Sequence, residues 1–189
     1  MRSVNVTVSF FQDHVQPALE RLVEQGRALA WITAAGPVEA MRTVLADEPR
    51  PAVAQCVANL LDSPGDMHID HATPNPRAIM GAAIGAGLGV MGICAVRADA
   101  LTDPLDHEVA PDAPEAVDYR RAAPFRNLAA AWAVSAGQLA HRYALSMLGV
   151  ETVVLGVKYR TKLADCVVAA EAGRLTDAEL QAIERSVRV

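Results

Sequence analysis

The chain has 189 residues, 52% of them hydrophobic and 21% charged. That is enough for one globular domain with a sizeable core, and it excludes a disordered polymer. A formal net charge of −5 and an aromatic content of 4% leave no basic surface for nucleic acid and little for base stacking.

Val4–Phe11 (VNVTVSFF) alternates valine with polar residues at first and predicts a strand. Its polar Ser3, Asn5, Thr7 and Ser9 break any apolar run, so the N-terminal segment does not read as a signal peptide. Pro17 suits a first helical turn, Leu19, Leu22 and Val23 form an apolar stripe, and Gly26 closes that helix. Ala28–Thr33 predicts a short buried strand. After Gly36-Pro37, the spacing of Val38, Met41, Val44 and Leu45 predicts the buried face of a second helix.

Pro49 and Pro51 end that helix, and Ala52–Val57 predicts a third strand. Asn75-Pro76 starts a third helix that fades into glycines 85, 87 and 89. Leu88–Val96 predicts a fourth strand. Ile79–Val96 is uncharged over about the length of a membrane span. It is mostly Gly and Ala, however, and reads as a buried helix running into a buried strand. The glycines at 85, 87 and 89 follow a helix and open a strand, the reverse of a dinucleotide fingerprint.

Thr102–Arg126, with Pro104, Pro111, Pro114 and Pro124, reads as a long loop of the kind that serves as a lid or a mobile insertion. A long helix is predicted from about Asn127 to Leu148, with Leu128, Trp132, Leu139 and Tyr143 among its buried positions. Gly149 ends it. Val153–Leu155 predicts a strand buried on both faces, followed by Gly156, a basic turn and a helix from about Thr161. Thr176-x-x-Glu179 is a capping box for the last helix. Strands alternate with helices, so the pattern predicts an α/β fold of about five βα units on a parallel sheet.

Cys56, Cys94 and Cys166 are odd in number, far apart and without a CxxC, which fits reduced thiols in a cytoplasmic protein. His68, Asp70 and His71 could ligate a metal, but spacing supplies no fourth ligand, so no metal site is assigned. Lys158, Arg160 and Lys162 surround a helix N-terminus, where an anion is favoured; the other reading of these residues is a solvated basic turn. Gln55 could serve a carboxamide or bond backbone, and Asn59 could contact a ligand or cap a turn. His107 and His141 read as ordinary.

Gln138–Leu163, QLAHRYALSMLGVETVVLGVKYRTKL, resembles the C-terminal part of the aldo/keto reductase family, and the match extends from about Val4 to the end. Leu88–Asp103 is similar to that family's seventh strand and following loop, Gln55-x-x-x-Asn59 to its sixth strand, and Arg27–Gly36 to its fifth. The resemblance implies a (β/α)8 TIM-barrel type fold with its site at the C-terminal face. It also implies hydride transfer between NADP(H) and a small-molecule carbonyl, with a tyrosine as general acid.

On that resemblance the chain is a single domain over residues 1–189 that begins near the fourth strand, with its N-terminal βα units missing. The family's Asp, Tyr and Lys would lie on those units. Its His would fall at His14, with Gln12 as the alternative for the same slot. Gln55, Asn59, Gly156, Lys158 and Lys162 map to cofactor contacts. Ala34-Ala35 and Ile93 replace the polar pair and the stacking aromatic around the nicotinamide, so cofactor binding is expected to be weak or lost. The rival expectations are a non-catalytic partial-barrel module, oligomeric through exposed sheet edges, and an α/β enzyme with its metal at His68–His71.

Overall fold

The computed structural model describes residues 8–34, 48–64, 75–103, 105 and 108–187. Val4–Thr7, the predicted helix around Met41, and His68, Asp70, His71 and His107 lie outside the described residues.

The first described segment differs from expectation. Val8–Phe10 (α1) is helical, runs through five π-helical residues, Phe11–Val15, and continues as α2, Gln16–Glu24. A strand satisfies its backbone groups only through a neighbour, whereas a helix satisfies them within itself. The Phe10 and His14 rings, one turn apart, meet at 4.8 Å. Buried Gln16 donates from Nε2 to the Pro49 carbonyl at 2.8 Å, tying α2 to the chain just before β2.

Four strands form one parallel sheet in the order β1 (Ile32–Ala34), β2 (Val53–Val57), β3 (Gly89–Ile93) and β4 (Val150–Val153). Spatial order follows chain order, as right-handed βα crossovers give. β1 is shorter than predicted, and β4 starts earlier and ends at Val153. Val154 and Leu155 lie beyond it and are half-exposed, so the expected strand buried on both faces is absent there. The Val154 amide still donates to the Gly92 carbonyl at 2.8 Å, which carries the pairing one residue past the strand.

Between β2 and β3 lies α3 (Pro76–Gly85), with Asn75 accepting from the Ala78 amide as its cap. Between β3 and β4 lie α4 (Pro114–Arg121), α5 (Ala123–Ala131) and α6 (Ala136–Ser146). The expected long loop therefore holds a helix and the start of another. Pro114 and Pro124 sit in first helical turns, where a missing N–H costs nothing. The expected single helix from Asn127 to Leu148 is two. Ala133 takes a positive φ of 55°, and Ser135 caps α6 by accepting from the Gln138 amide at 3.1 Å. After β4 come α7 (Arg160–Glu171) and α8 (Asp177–Val187). The Thr176–Glu179 box forms reciprocally: Glu179 accepts from the Thr176 amide at 2.7 Å, and Thr176 Oγ1 accepts from the Glu179 amide at 3.3 Å.

The core lies between the sheet and these helices. Ala54, Cys56, Val90, Gly92 and Val150 face the helices, and Phe125, Leu139, Tyr143 and Ile183 fill the space. A Cβ on Gly92 would sit 2.9 Å from the Ala58 Cβ, so the close approach of β3 to that loop needs a glycine.

Candidate functional site

The C-terminal ends of β2, β3 and β4 converge, and the loops leaving them carry the polar groups. After β2, Asn59 is buried. Its Nδ2 donates to the Ser63 carbonyl at 2.9 Å and the Cys94 carbonyl at 3.2 Å, and its Oδ1 accepts from the Ser63 amide at 3.2 Å. Its amide thus holds the two loop ends together.

After β3 the chain turns through Arg97, Ala98 and Asp99, three consecutive non-glycine residues at positive φ (48°, 45° and 65°). Each such residue is costly for an L-amino acid and persists only where its surroundings hold it. Arg97, buried, supplies that hold. Its Nε donates to Asp118 Oδ2 at 2.7 Å and to Ser63 Oγ at 3.0 Å, and Ser63 Oγ donates to the same Asp118 oxygen at 2.6 Å. Glu115 stands 4.0 Å from Nη1, and Nη2 is buried without a partner among the described residues. Asp99 faces the other way and accepts from Lys162 Nζ at 2.8 Å. The turn therefore links the end of β2, α4 and the start of α7.

After β4, Gly156 is exposed, and no described atom lies within 4 Å of where a Cβ would stand. Tyr159 is the N-cap of α7 and gives no side-chain cap, so the first N–H groups of that helix carry a partial positive charge that a cap does not quench. Lys158 and Arg160 are exposed beside them, and Lys162 is partly buried on Asp99. This is a geometry for a phosphate.

Gln55 lies on the sheet face opposite the helices, level with Ala34 and Met91. Its Nε2 is 3.7 Å from Met91 Sδ, a weak acceptor. Ile93 lies on the same face, half-buried. His14 is exposed in the helical N-terminal segment and does not stand at the end of a strand.

The tyrosines are committed elsewhere. Tyr143 accepts from Arg77 Nη2 at 2.6 Å and donates to Glu184 Oε1 at 3.1 Å; burial pushes its hydroxyl up to about 12. Tyr119 donates to the Asp103 carbonyl at 2.6 Å. Tyr159 is exposed. Burial raises all three cysteine thiols, Cys56 to about 11, which makes them poor nucleophiles at neutral pH. Burial lowers His141, with Asp165 opposing. Among the described residues no group of three His, Cys, Asp or Glu could hold a metal, and no helix is long and apolar enough to cross a membrane.

Of the residues expected to bind a ligand, Gly156 and Lys158 fall on the β4–α7 connection and Lys162 in the first turn of α7, with Gln55 on the sheet face opposite the helices. Asn59 is built into the loop after β2. Arg97, Asp99, Ser63 and Asp118 were missed. Arg97 and Asp99 were visible as opposite charges in a turn just past a buried strand, at the face where barrels carry their sites; Ser63 and Asp118 had no local signal.

A model described as the Aldo/keto reductase family matches residues 5–188. The apo form of aldo-keto reductase AKR11C1 from Bacillus halodurans is similar in structure, with a TM-score of 0.74 at 18% identity. That match covers 97% of this chain and 60% of that one. The holo form gives 0.73 at 19% identity, with 97% and 59% covered. At such identity the likeness is one of fold, and the chain spans about 60% of its neighbours' length. No curated protein matches the chain.

Proposed function

The chain belongs to the aldo/keto reductase family, and from that premise we propose that it contributes the cofactor-binding half of an NADP(H)-linked carbonyl oxidoreductase. The observation that carries this is the uncapped start of α7, flanked by Lys158, Arg160 and Lys162 at the C-terminal end of the sheet. These residues fit the adenosine phosphate of NADP(H). Gln55, whose amide has only a thioether within reach among the described residues, fits the carboxamide. The bound cofactor would supply the hydride.

The chain's own residues bind and orient. Lys162, already aligned by Asp99, presents its ammonium at the helix start. Asn59 and Arg97 brace the loops around it. Gly156 leaves the backbone open to close approach. The fit is poorer at the nicotinamide, where Ile93 offers an apolar wall without an aromatic face. Proton transfer is the step with least support. His14 is the one candidate from the family pattern, and it is exposed in a helix. The proposed consequence is slow carbonyl reduction by this chain alone, since none of Tyr119, Tyr143 and Tyr159 stands at the end of a strand. A small carbonyl compound is the proposed substrate class. The reduced Cys56, Cys94 and Cys166 support a cytoplasmic setting.

Titrating NADPH and NADH against protein fluorescence tests this reading. NADPH should bind more tightly, and Lys158→Ala with Lys162→Ala should remove the difference. Equal affinities in the unaltered chain would remove the case for the basic turn. A non-catalytic partial barrel is the second reading, favoured by the apolar sheet face that the helices leave uncovered.

A further inference from the structure

His141 lies on α6 one turn after Gln138, so the two side chains share a flank of that helix. Gln138 Nε2 donates to Asp165 Oδ1 of α7 at 2.8 Å, and α7 is packed along α6. His141 is 8% exposed, and its Nδ1 is shut off from solvent. A titratable ring is thus built into the contact between two helices.

The charge that acts on the ring is Asp165, which also acts on the neighbouring Cys166 thiol of α7. That carboxylate is already engaged by Gln138. Elsewhere on α7, Lys162 is held by Asp99, while Arg160 and Glu171 are exposed at the helix ends. Two further elements pack against α6. β4 carries Glu151, which is exposed, and α5 carries Arg126, which donates to the carbonyls of Ala100 and Tyr119. On α6 itself Arg142 donates to the Gly173 carbonyl and Tyr143 to Glu184. An imidazolium here would be a buried charge with Asp165 as its counter-ion. Burial outweighs that attraction and holds the ring below its ordinary value of 6.5.

The two helices are anchored unequally. α6 sinks Leu139, Ala140, Tyr143 and Ala144 into the core, whereas the buried residues of α7 are Cys166 and Ala169. A helix that buries so little apolar surface opens locally at small cost. We propose that His141 is a pH-sensitive clasp: with the ring neutral α7 lies closed on α6, and a proton taken up in mild acid lets α7 lift while α6 stays in the core. The sign follows from linkage. A ring depressed in the closed state binds its proton more readily once α7 has lifted. Closure is therefore complete above the ordinary histidine value and weakens as the pH falls through the lower closed one. The inference rests on the α6–α7 contact and not on the cofactor reading, so either can fail alone.

Hydrogen–deuterium exchange of the whole chain at pH 7.5 and pH 5.5, corrected for the intrinsic rate, reads the clasp. Protection of α7 should fall about five- to tenfold between the two, and that of α6 should hold. His141→Gln, uncharged at both values, should abolish the difference with the circular dichroism at pH 7.5 unchanged. Should that variant fold poorly, the unaltered ring decides. Its proton NMR signal, the one that persists when His14, His68, His71 and His107 are each replaced by Gln, should titrate below 6.5. Equal protection of α7 at both pH values, a difference that survives in His141→Gln, or a ring titrating at 6.5 or above overturns the inference.

Discussion

The turn after β3 and the connection after β4 leave the same end of the sheet, yet they are built on opposite principles. The first is closed. Arg97 is buried on Asp118 and Ser63, Asn59 stitches two loops together, and Leu101 and Ala100 are wholly buried. The second is open: Val154 to Arg160 are exposed, Gly156 touches nothing within 4 Å of a built Cβ, and the helix start is uncapped. A backbone at positive φ in three consecutive residues has to be held by its surroundings, whereas the N–H groups of a helix start without a side-chain cap can be solvated by water. The bond from Lys162 to Asp99 joins the two regions and hands the rigidity of the first to the second.

The largest effect expected separates them directly. Arg97→Ala removes one partner of a buried ion pair, leaves Asp118 uncompensated and frees the strained turn. The expected loss is about 3–5 kcal/mol, measured by urea denaturation. Lys162→Ala breaks the other ion pair of the same turn, but its side chain is partly exposed, so about 0–1 kcal/mol is expected. Similar losses from both would mean that the two regions are not held differently.

Next in size is Tyr143→Phe. The hydroxyl accepts from Arg77 and donates to Glu184, joining α3, α6 and α8. Its removal leaves a half-buried guanidinium and carboxylate short of a partner, for about 1–3 kcal/mol. The phenol's raised pKa, near 12, comes first from burial. Ultraviolet titration should therefore find that the Tyr143 phenol ionises only as the chain unfolds.

These contrasts mark what the sequence made legible. Alternating apolar runs and glycine stops predicted the parallel order, and Asn75, Gly26 and the Thr176–Glu179 box placed helix ends where they occur. Two elements were misread for physical reasons. Val4–Phe11 looked β-rich, yet its described part, from Val8 on, is helical, because propensity carries no information about whether a neighbouring strand exists to pair with. The break at Trp132–Ser135 was signalled by Ser135-x-x-Gln138, a capping box hidden inside an apolar helical pattern. The basic turn was legible because its cations, Lys158, Arg160 and Lys162, fall at alternate positions of one short stretch. The Arg97–Asp118–Ser63 brace was not, because its members come from three separate segments and only the fold joins them.

A smaller effect than that of Tyr143 belongs to the far end of the chain. Thr176→Ala removes the α8 cap, whose reciprocal bonds are both formed, at a cost of about 1 kcal/mol. The bonds from the Thr176 amide and hydroxyl hold the Glu179 carboxyl below its ordinary value of 4.5. A carboxyl depressed in the folded state adds stability that is complete above that ordinary value and is lost as the pH falls through the lower folded one. Thr176→Ala should thus cost more at pH 7 than at pH 3, the two denaturation curves converging in acid. Glu179 is largely solvated, so the converging part is the lesser share of the cap. Curves that stay parallel from pH 7 to pH 3 would show that the carboxylate adds nothing to it. The β4–α7 connection gives the control: Gly156→Ala, in open space at an ordinary φ, should leave stability within about 0.5 kcal/mol at either pH.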